Sequence, residues 1–286
     1  MTAPALPPRA SWLPLLERAL AEDVGTGDAT SAAVLPADAH AEAVIEARAP
    51  LVVCGLPVAE AAFAAVDPAL ACEDARAEGS AAPAGAALLR IAGPARGLLA
   101  AERTALNFLA RLCGVATHVR RFVEAVAGTG VEILDTRKTL PGWRVLDKYA
   151  VVVGGGRNHR FGLYDAVLIK DNHVAAAGGV GAAVKAARAC APHLQIQVEV
   201  ESEAQAAEAI GAGARLLLLD NRSPAELRRL AERFRDAALL EASGGVTLAN
   251  VREIAESGVH RISIGALTHS APAADVALEI RPGSRA

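Results

Sequence analysis

From Gly130 onward the chain alternates short apolar runs with longer segments of helical spacing. VEILD (131–135), DAVLI (165–169), LQIQVEV (194–200), RLLLLD (215–220), ALLEAS (238–243) and RISIG (261–265) have the length and composition of strands. Between them, residues 142–153, 181–191, 202–212, 223–234 and 248–257 place apolar side chains three and four apart, as amphipathic helices do. Strand, helix, strand, repeated with short loops, predicts a parallel sheet joined by right-handed crossovers. The strand runs lack a strict polar alternation, which predicts cover on both faces. This pattern is met equally by an open doubly wound sheet and by a barrel, complete or incomplete.

The first half has a different texture. Leu13, Leu16 and Leu20 share one helical face, and Ser11 is placed to cap that helix. EDVGTGDATS (22–31) reads as a turn-rich loop. EAVIEA (42–47) and LVVCG (51–55) read as strands, VAEAAFAAV (58–66) as a helix, and AAPAGAALLRIAG (81–93) as a loop leading into a strand. From Gly97 to Val126 apolar residues recur at helical spacing, and Gly114 is expected to break or bend this stretch into two helices. A domain boundary is placed there: 1–114 form an α/β domain and 115–270 the repeating one.

Composition narrows the functional classes. A net charge of -3 argues against a general attraction to nucleic acid or to anionic membranes, so basic clusters are local features. No charge-free apolar run of membrane-spanning length is present, and the N-terminus lacks the apolar core of a signal peptide. Cys54, Cys72, Cys113 and Cys190 form no CxxC pair, which predicts reduced thiols and a cytoplasmic protein. Only four of the 29 basic residues are lysine, so each lysine carries more weight than an average arginine in this Arg-rich chain.

Candidate chemistry collects at the ends of the six strands. In order they deliver Asp135, Thr136, Arg137 and Lys138; Lys170, Asp171, Asn172 and His173; Glu199 and Glu201; Asp220 and Asn221; Ser243, Gly244 and Gly245; Gly265 and Ala266. In parallel α/β proteins these ends share one side, the side on which sites are built. Arg137, Lys138, Arg160 and Lys170, with His159, supply cations suited to an anionic substrate. Glu199 and Asp220 supply carboxylates of the kind that hold Mg²⁺ together with substrate oxygens. SGG and IGA suit a phosphate, with a helix N-terminus expected after each. The set reads as a site for a phosphorylated, Mg²⁺-bound substrate and a second, acidic one. GGG at 154–156 is read as a helix terminator, since no GK[ST] follows. No HExxH, CxxC or GxSxG occurs, so zinc-protease, metal-ribbon and serine-hydrolase readings have no support.

The segment DTRKTLPGWRVLDKYAVVVGGGRNHRFGLYDAVLIKDNH (135–173) resembles the signature of the quinolinate phosphoribosyltransferase family. EDVGTGDATS, ERTALNFLARLCGVAT, VEVES, LLLLDN, LEASGGV and SIGALTHSAPAADVALEI resemble further motifs of that family in the same order, over nearly the whole chain. The resemblance implies an N-terminal α/β sandwich domain, to which 271–286 return, and an incomplete α/β barrel of the type II phosphoribosyltransferase kind. It implies a pentosyltransferase of de novo NAD synthesis that converts quinolinate and phosphoribosyl pyrophosphate, with Mg²⁺, to nicotinate mononucleotide, pyrophosphate and CO₂. It also implies a homodimer, with higher assembly left open, in which Arg103 of ERTALNF is lent across the interface to a quinolinate carboxylate. By the same resemblance Arg137, His159 and Arg160 wall the quinolinate pocket, Thr136 binds substrate, and Lys138 and Lys170 lie between quinolinate and pyrophosphate. Glu199 and Asp220 stand near ribose and Mg²⁺, while Ser243, Gly244, Gly245, Ile264, Gly265 and Ala266 cradle the 5-phosphate. Three other readings are weighed: a same-fold phosphoribosyltransferase with another acceptor, a Schiff-base aldolase using Lys170, and a ligand-binding protein without turnover. The aldolase reading leaves Glu199, Asp220 and both glycine turns without a role.

Overall fold

The computed structural model describes residues 4–281. A 3₁₀ turn precedes α1 (Leu13–Val24) and α2 (Ala29–Val34). Then come β1 (His40–Ala47), β2 (Leu51–Val52), α3 (Leu56–Val66), β3 (Ala71–Glu73), β4 (Ala81–Ala82), β5 (Ala87–Pro94) and α4 (Ala95–Ala125). The repeating half contains β6 (Glu132–Leu134), α5 (Arg144–Val153), β7 (Val167–Ile169), α6 (Asp171–Ala177), α7 (Val180–Cys190), β8 (Ile196–Glu199) and α8 (Glu203–Gly211). It ends with β9 (Leu216–Asp220), α9 (Pro224–Phe234), β10 (Leu239–Ser243), α10 (Val251–Ala255), β11 (Arg261–Ser263), α11 (Ala266–His269) and β12 (Val276–Arg281).

By contacts the chain divides into two compact units. One holds the described residues up to Arg120, Leu140–Gly155 and those from Ser270 onward; the other holds Arg121–Thr139 and Gly156–His269. This differs from the division expected at 114/115: the boundary falls inside α4, and α5 groups with the first unit. The last five residues of the segment expected to return to the first domain lie outside the described residues.

The first unit is built on an antiparallel sheet of order β12-β1-β5-β3. Ile45, Leu88, Leu89 and Ile91 are fully buried, as are Phe63 of α3 and Leu98 and Leu109 of α4. Phe108 stacks on Trp143 at 4.5 Å between ring centroids. α4 is one continuous helix of 31 residues, so the expected break at Gly114 does not occur. A Cβ at Gly114 would overlap the carbonyl oxygen of Pro272, and the N–H of Ala274 donates to the carbonyl of Ala110 at 2.8 Å. Glycine is there for close approach of the 272–274 segment, not to end the helix.

Two local expectations are also corrected. Ser11 does not cap α1; its hydroxyl donates to Pro8 O at 2.7 Å, Trp12 takes the N-cap position, and Pro14 occupies the first turn. EDVGTGDATS is not one loop: α1 runs through Val24, and Asp28 caps α2 by accepting from the N–H groups of Thr30 and Ser31 at 2.9 and 3.1 Å. The side-chain hydrogen bond from Ser31, with the backbone bonds, holds the Asp28 carboxyl below its ordinary range.

The second unit carries a six-stranded parallel sheet of order β6-β11-β10-β9-β8-β7. Reading from β7, each later strand is added on the same side until β11, and β6 closes onto β11. A doubly wound sheet reverses direction at a switch point. This one never does, which is the strand order of a barrel. The two strands consecutive in sequence, β6 and β7, are its edges, so the barrel is incomplete. Between them only Arg157 bridges to Leu134, with its N–H donating to Ile133 O at 2.8 Å. α5, expected as a crossover helix between β6 and β7, groups with the other unit. β7 is also shorter than DAVLI, because the Asp165 carboxylate folds back to accept from the N–H groups of Phe161 and Gly162 at 2.7 and 2.9 Å.

Candidate active site

At the C-terminal ends of these strands the second unit encloses a cavity of about 480 Å³. Thirteen of the fifteen residues expected at the site line it: Thr136, Arg137, Lys138, His159, Arg160, Lys170, Asp220, Ser243, Gly244, Gly245, Ile264, Gly265 and Ala266. Glu199 stands beside it, lining a neighbouring hollow with Asp171 and Glu201, and its carboxylate lies 3.6 Å from Lys170 Nζ. Arg103 is exposed on α4 of the first unit, whereas the cavity is lined wholly by the second.

The glycine turns have clear physical reasons. Gly244 and Gly245 adopt φ of +88° and +60°, which suit glycine. A Cβ on Gly244 would strike the Asn221 side chain, and the Asn221 backbone N–H donates to Ser243 O at 2.8 Å. The β9 and β10 ends are thereby locked together, with Asn221 itself at φ +53°. Gly265 gives room rather than conformation, since a Cβ there would meet Lys138 Cδ at 2.8 Å. Lys138 is anchored through its backbone: its N–H donates to Thr136 Oγ1 at 3.0 Å and its carbonyl accepts from Thr268 at 2.8 Å. A helix does start at Ala266, directly after the IGA turn. The expected helix start after SGG is not met, because Thr247–Asn250 intervene and Asn250 ties the turn by donating to Gly245 O at 3.0 Å.

The charged wall is less uniform than a count of basic residues implies. Burial first, then the like charge of Arg137, pulls the Arg160 guanidinium below its ordinary range, while Asp165 acts in the opposite sense. His159 is not a free cation. Its Nδ1 accepts from the Arg160 N–H at 2.8 Å, which assigns the ring proton to Nε2, placed 2.9 Å from Gln197 Oε1. The 159 backbone is held in turn by the buried Asp135 carboxylate, accepting at 2.7 Å. Arg157 faces solvent and pairs with Glu132 at 2.9 Å, and His173 caps α6 by accepting from the Lys170 N–H at 3.0 Å. Neither lines the cavity.

Residues Leu140–Gly155 of the long 135–173 signature serve the first unit instead. Asp147, fully buried, takes a two-pronged pair from Arg111 with both oxygens at 3.0 Å, and Tyr149 donates to Glu78 at 2.7 Å. Gly154 packs so closely on α4 that a Cβ would meet Ala116 O at 2.6 Å.

The cavity also contains residues the sequence reading passed over: Leu168, Leu218, Glu241, Ser263, Thr247 and His269. The first four share a rule. Each lies two positions before a strand-end residue already identified, and strand residues two apart face the same side. Reading back by two from Lys170, Asp220, Ser243 and Gly265 finds them.

Glu199 and Asp220 end the adjacent strands β8 and β9. Asp220 on the cavity and Glu199 beside it fit Mg²⁺, which takes one or two carboxylates and completes its shell with water and substrate oxygens. Among the described residues there is no group of three or more His, Cys, Asp or Glu side chains that could hold a metal ion by themselves.

Two family models match the chain: Quinolinate phosphoribosyl transferase, N-terminal domain, over residues 28–113, and its C-terminal domain over 115–279. The nicotinate-nucleotide pyrophosphorylase (carboxylating) of Mycobacterium leprae is 43% identical over 275 residues, covering 93% of this chain and 95% of the relative. The probable enzyme of that name from Bacillus subtilis is 40% identical over 267 residues, covering 93% and 92%. The solved structure of the nicotinate-nucleotide pyrophosphorylase from Francisella tularensis superposes with a TM-score of 0.93 at 35% identity, covering 96% and 97% of the two chains. Family models over both halves and close relatives at full length agree with the incomplete barrel and its strand-end cavity: the chain belongs to the quinolinate phosphoribosyltransferase family.

Proposed function

We propose that this protein is a decarboxylating quinolinate phosphoribosyltransferase, converting quinolinate and phosphoribosyl pyrophosphate to nicotinate mononucleotide, pyrophosphate and CO₂ for NAD synthesis. The observation that carries this reading is one cavity lined both by Arg137, Lys138, Arg160 and Lys170 and by the two glycine turns. A small dianion suits the cations and a sugar phosphate suits the turns. Arg137 and Arg160 supply forks for the pyridine carboxylates. Lys138 and Lys170 stand between that group and the departing pyrophosphate. Ser243–Gly245 and Ile264–Ala266 receive the 5-phosphate on backbone N–H groups.

The chemistry then rests on placement and charge. The ring nitrogen bonds to C1 of the ribose as the bond from C1 to the pyrophosphate oxygen breaks. Positive charge builds on the sugar, and Asp220 and Glu199 lie where they favour it. Bound Mg²⁺, held by these carboxylates directly or through water, would supply charge neutralisation for pyrophosphate. The C2–carboxylate bond breaks next, leaving its electron pair on C2 beside the new pyridinium nitrogen, and C2 then takes a proton. Neutral His159 contributes as a fixed part of the wall.

A homodimer belongs to the same reading, with Arg103 reaching a quinolinate carboxylate in the neighbouring subunit. Cytoplasmic location remains part of the proposal as well; among the described residues no helix is long and apolar enough to cross a membrane.

The test is an end-point assay with phosphoribosyl pyrophosphate and Mg²⁺, run in parallel with quinolinate and with nicotinate. Mononucleotide and stoichiometric CO₂ from quinolinate, with little product from nicotinate, is the expected result. Product from nicotinate alone would move the protein to the same-fold reading with another acceptor.

A further inference from the structure

Glu241 is the least explained group in the molecule. It sits in β10, is 1% exposed, and lines the cavity two residues before Ser243. Neither carboxylate oxygen has a hydrogen-bond partner. Its register partner on β11, Arg261, does not serve it; that guanidinium turns to Glu132 at 3.3 Å. Its Oε1 lies 3.5 Å from His159 Nε2. A buried carboxylate without donors is costly and survives where something else requires it.

Its surroundings indicate what requires it. The imidazole of His159 is gripped at Nδ1 by the Arg160 N–H and at Nε2 by Gln197 Oε1, with Glu241 beside the same Nε2–H. Gln197 is 2% exposed and its Nε2 has no partner, so it is poised on the same polar cluster. Glu241, His159, Arg160 and Gln197 also line a smaller cavity of about 60 Å³ inside the barrel, to which residues of all six strands contribute.

Resting on the function proposed above, we propose that Glu241 is a positioning residue for the acceptor site. With Gln197 it holds His159 in the Nε2–H tautomer and thereby sets the His159–Arg160 wall against the acceptor's carboxylates. Its negative charge favours the N–H pointing toward it, and the opposite tautomer would set Nδ1–H against the Arg160 N–H.

Two variants test this in the full-length enzyme. Glu241→Leu removes the acceptor and the charge, and Glu241→Gln keeps the shape and one acceptor oxygen. The expected result for Glu241→Leu is a KM for quinolinate raised tenfold or more. The KM for phosphoribosyl pyrophosphate stays within twofold and the melting temperature is unchanged or higher. Glu241→Gln should fall between it and wild type. In ¹⁵N-histidine NMR spectra, with the His159 signal assigned through His159→Asn, wild type shows one tautomer protonated at Nε2, and Glu241→Leu shows a mixture. A quinolinate KM within twofold of wild type and an unchanged His159 signal, in either variant, would overturn the proposal. So would a loss confined to kcat and melting temperature, which is the mark of a merely structural role. If Glu241→Leu does not fold, Glu241→Gln alone decides by the same two readouts. Failure of wild type to use quinolinate at all would instead strike the proposed function, and the NMR comparison would still judge the positioning of His159.

Discussion

Lys138 shows how a single residue can be separated from its scaffold. Its backbone is fastened by Thr136 and Thr268, while its side chain crosses Gly265 into the cavity. Lys138→Ala should therefore melt within a degree or two of wild type yet lose about 10²- to 10³-fold in kcat/KM, the scale of removing one preorganised charge contact. Steady-state kinetics beside a thermal melt decides it, and near-wild-type turnover would remove Lys138 from the site. His260 carries a prediction of another kind. Its Nδ1 accepts from the Leu240 N–H at 3.0 Å, and burial, then Arg235 and Arg261, lower its pKa from the ordinary 6.5, with Asp236 opposing. The folded state thus binds fewer protons than the unfolded state below that pH. Stability from this group is complete above about 6.5 and is lost as pH falls toward the depressed folded value. Urea midpoints measured from pH 8 to pH 5 should decline more steeply in wild type than in His260→Gln. Parallel slopes would contradict this.

At the scale of elements, α4 sets helix propensity against packing. Gly114→Ala would improve the helix by up to ~1 kcal/mol on propensity alone. Against this stands the overlap of the new methyl with the Pro272 carbonyl, a backbone atom held near α4 by the Ala274–Ala110 hydrogen bond. Overpacking of that kind costs about 1–3 kcal/mol. The variant should be less stable on balance, with a melting temperature several degrees lower, and a higher melting temperature would mean the 272–274 segment yields freely. The strand ends illustrate the converse economy of the fold. The strand segments of β7, β9, β10 and β11 each supply one residue at the tip and another two positions earlier, so that part of the cavity wall is two layers deep.

For the whole molecule, the open question is how Arg103, exposed on α4, enters the reaction. The proposed dimer makes a quantitative prediction. Arg103→Ala and Lys170→Ala should each be nearly inactive. If Arg103 is lent between subunits, refolding an equal mixture gives heterodimers in half the population, each with one intact site, and so about a quarter of wild-type activity. Activity no higher than the sum of the separate variants, in verified heterodimers, would exclude sharing.

Much of this protein is legible in its residues, for local reasons. The β/α rhythm after Gly130, the strand-end cations and the glycine turns follow from apolar periodicity and backbone conformation, properties of short segments. Thirteen of the expected site residues meet in one cavity because parallel strands must end on one side. What the chain's pattern could not settle depended on partners distant in sequence. Gly114 reads as a helix breaker until Pro272 lies across it. His159 reads as a cation until Arg160, Gln197 and Asp135 hold it. Residues 142–153 read as a crossover helix of the repeating half until Arg111 and Glu78 take them for the first unit. Composition and spacing act along the chain, whereas close approach, hydrogen-bond partners and the side a strand presents arise only when remote segments meet.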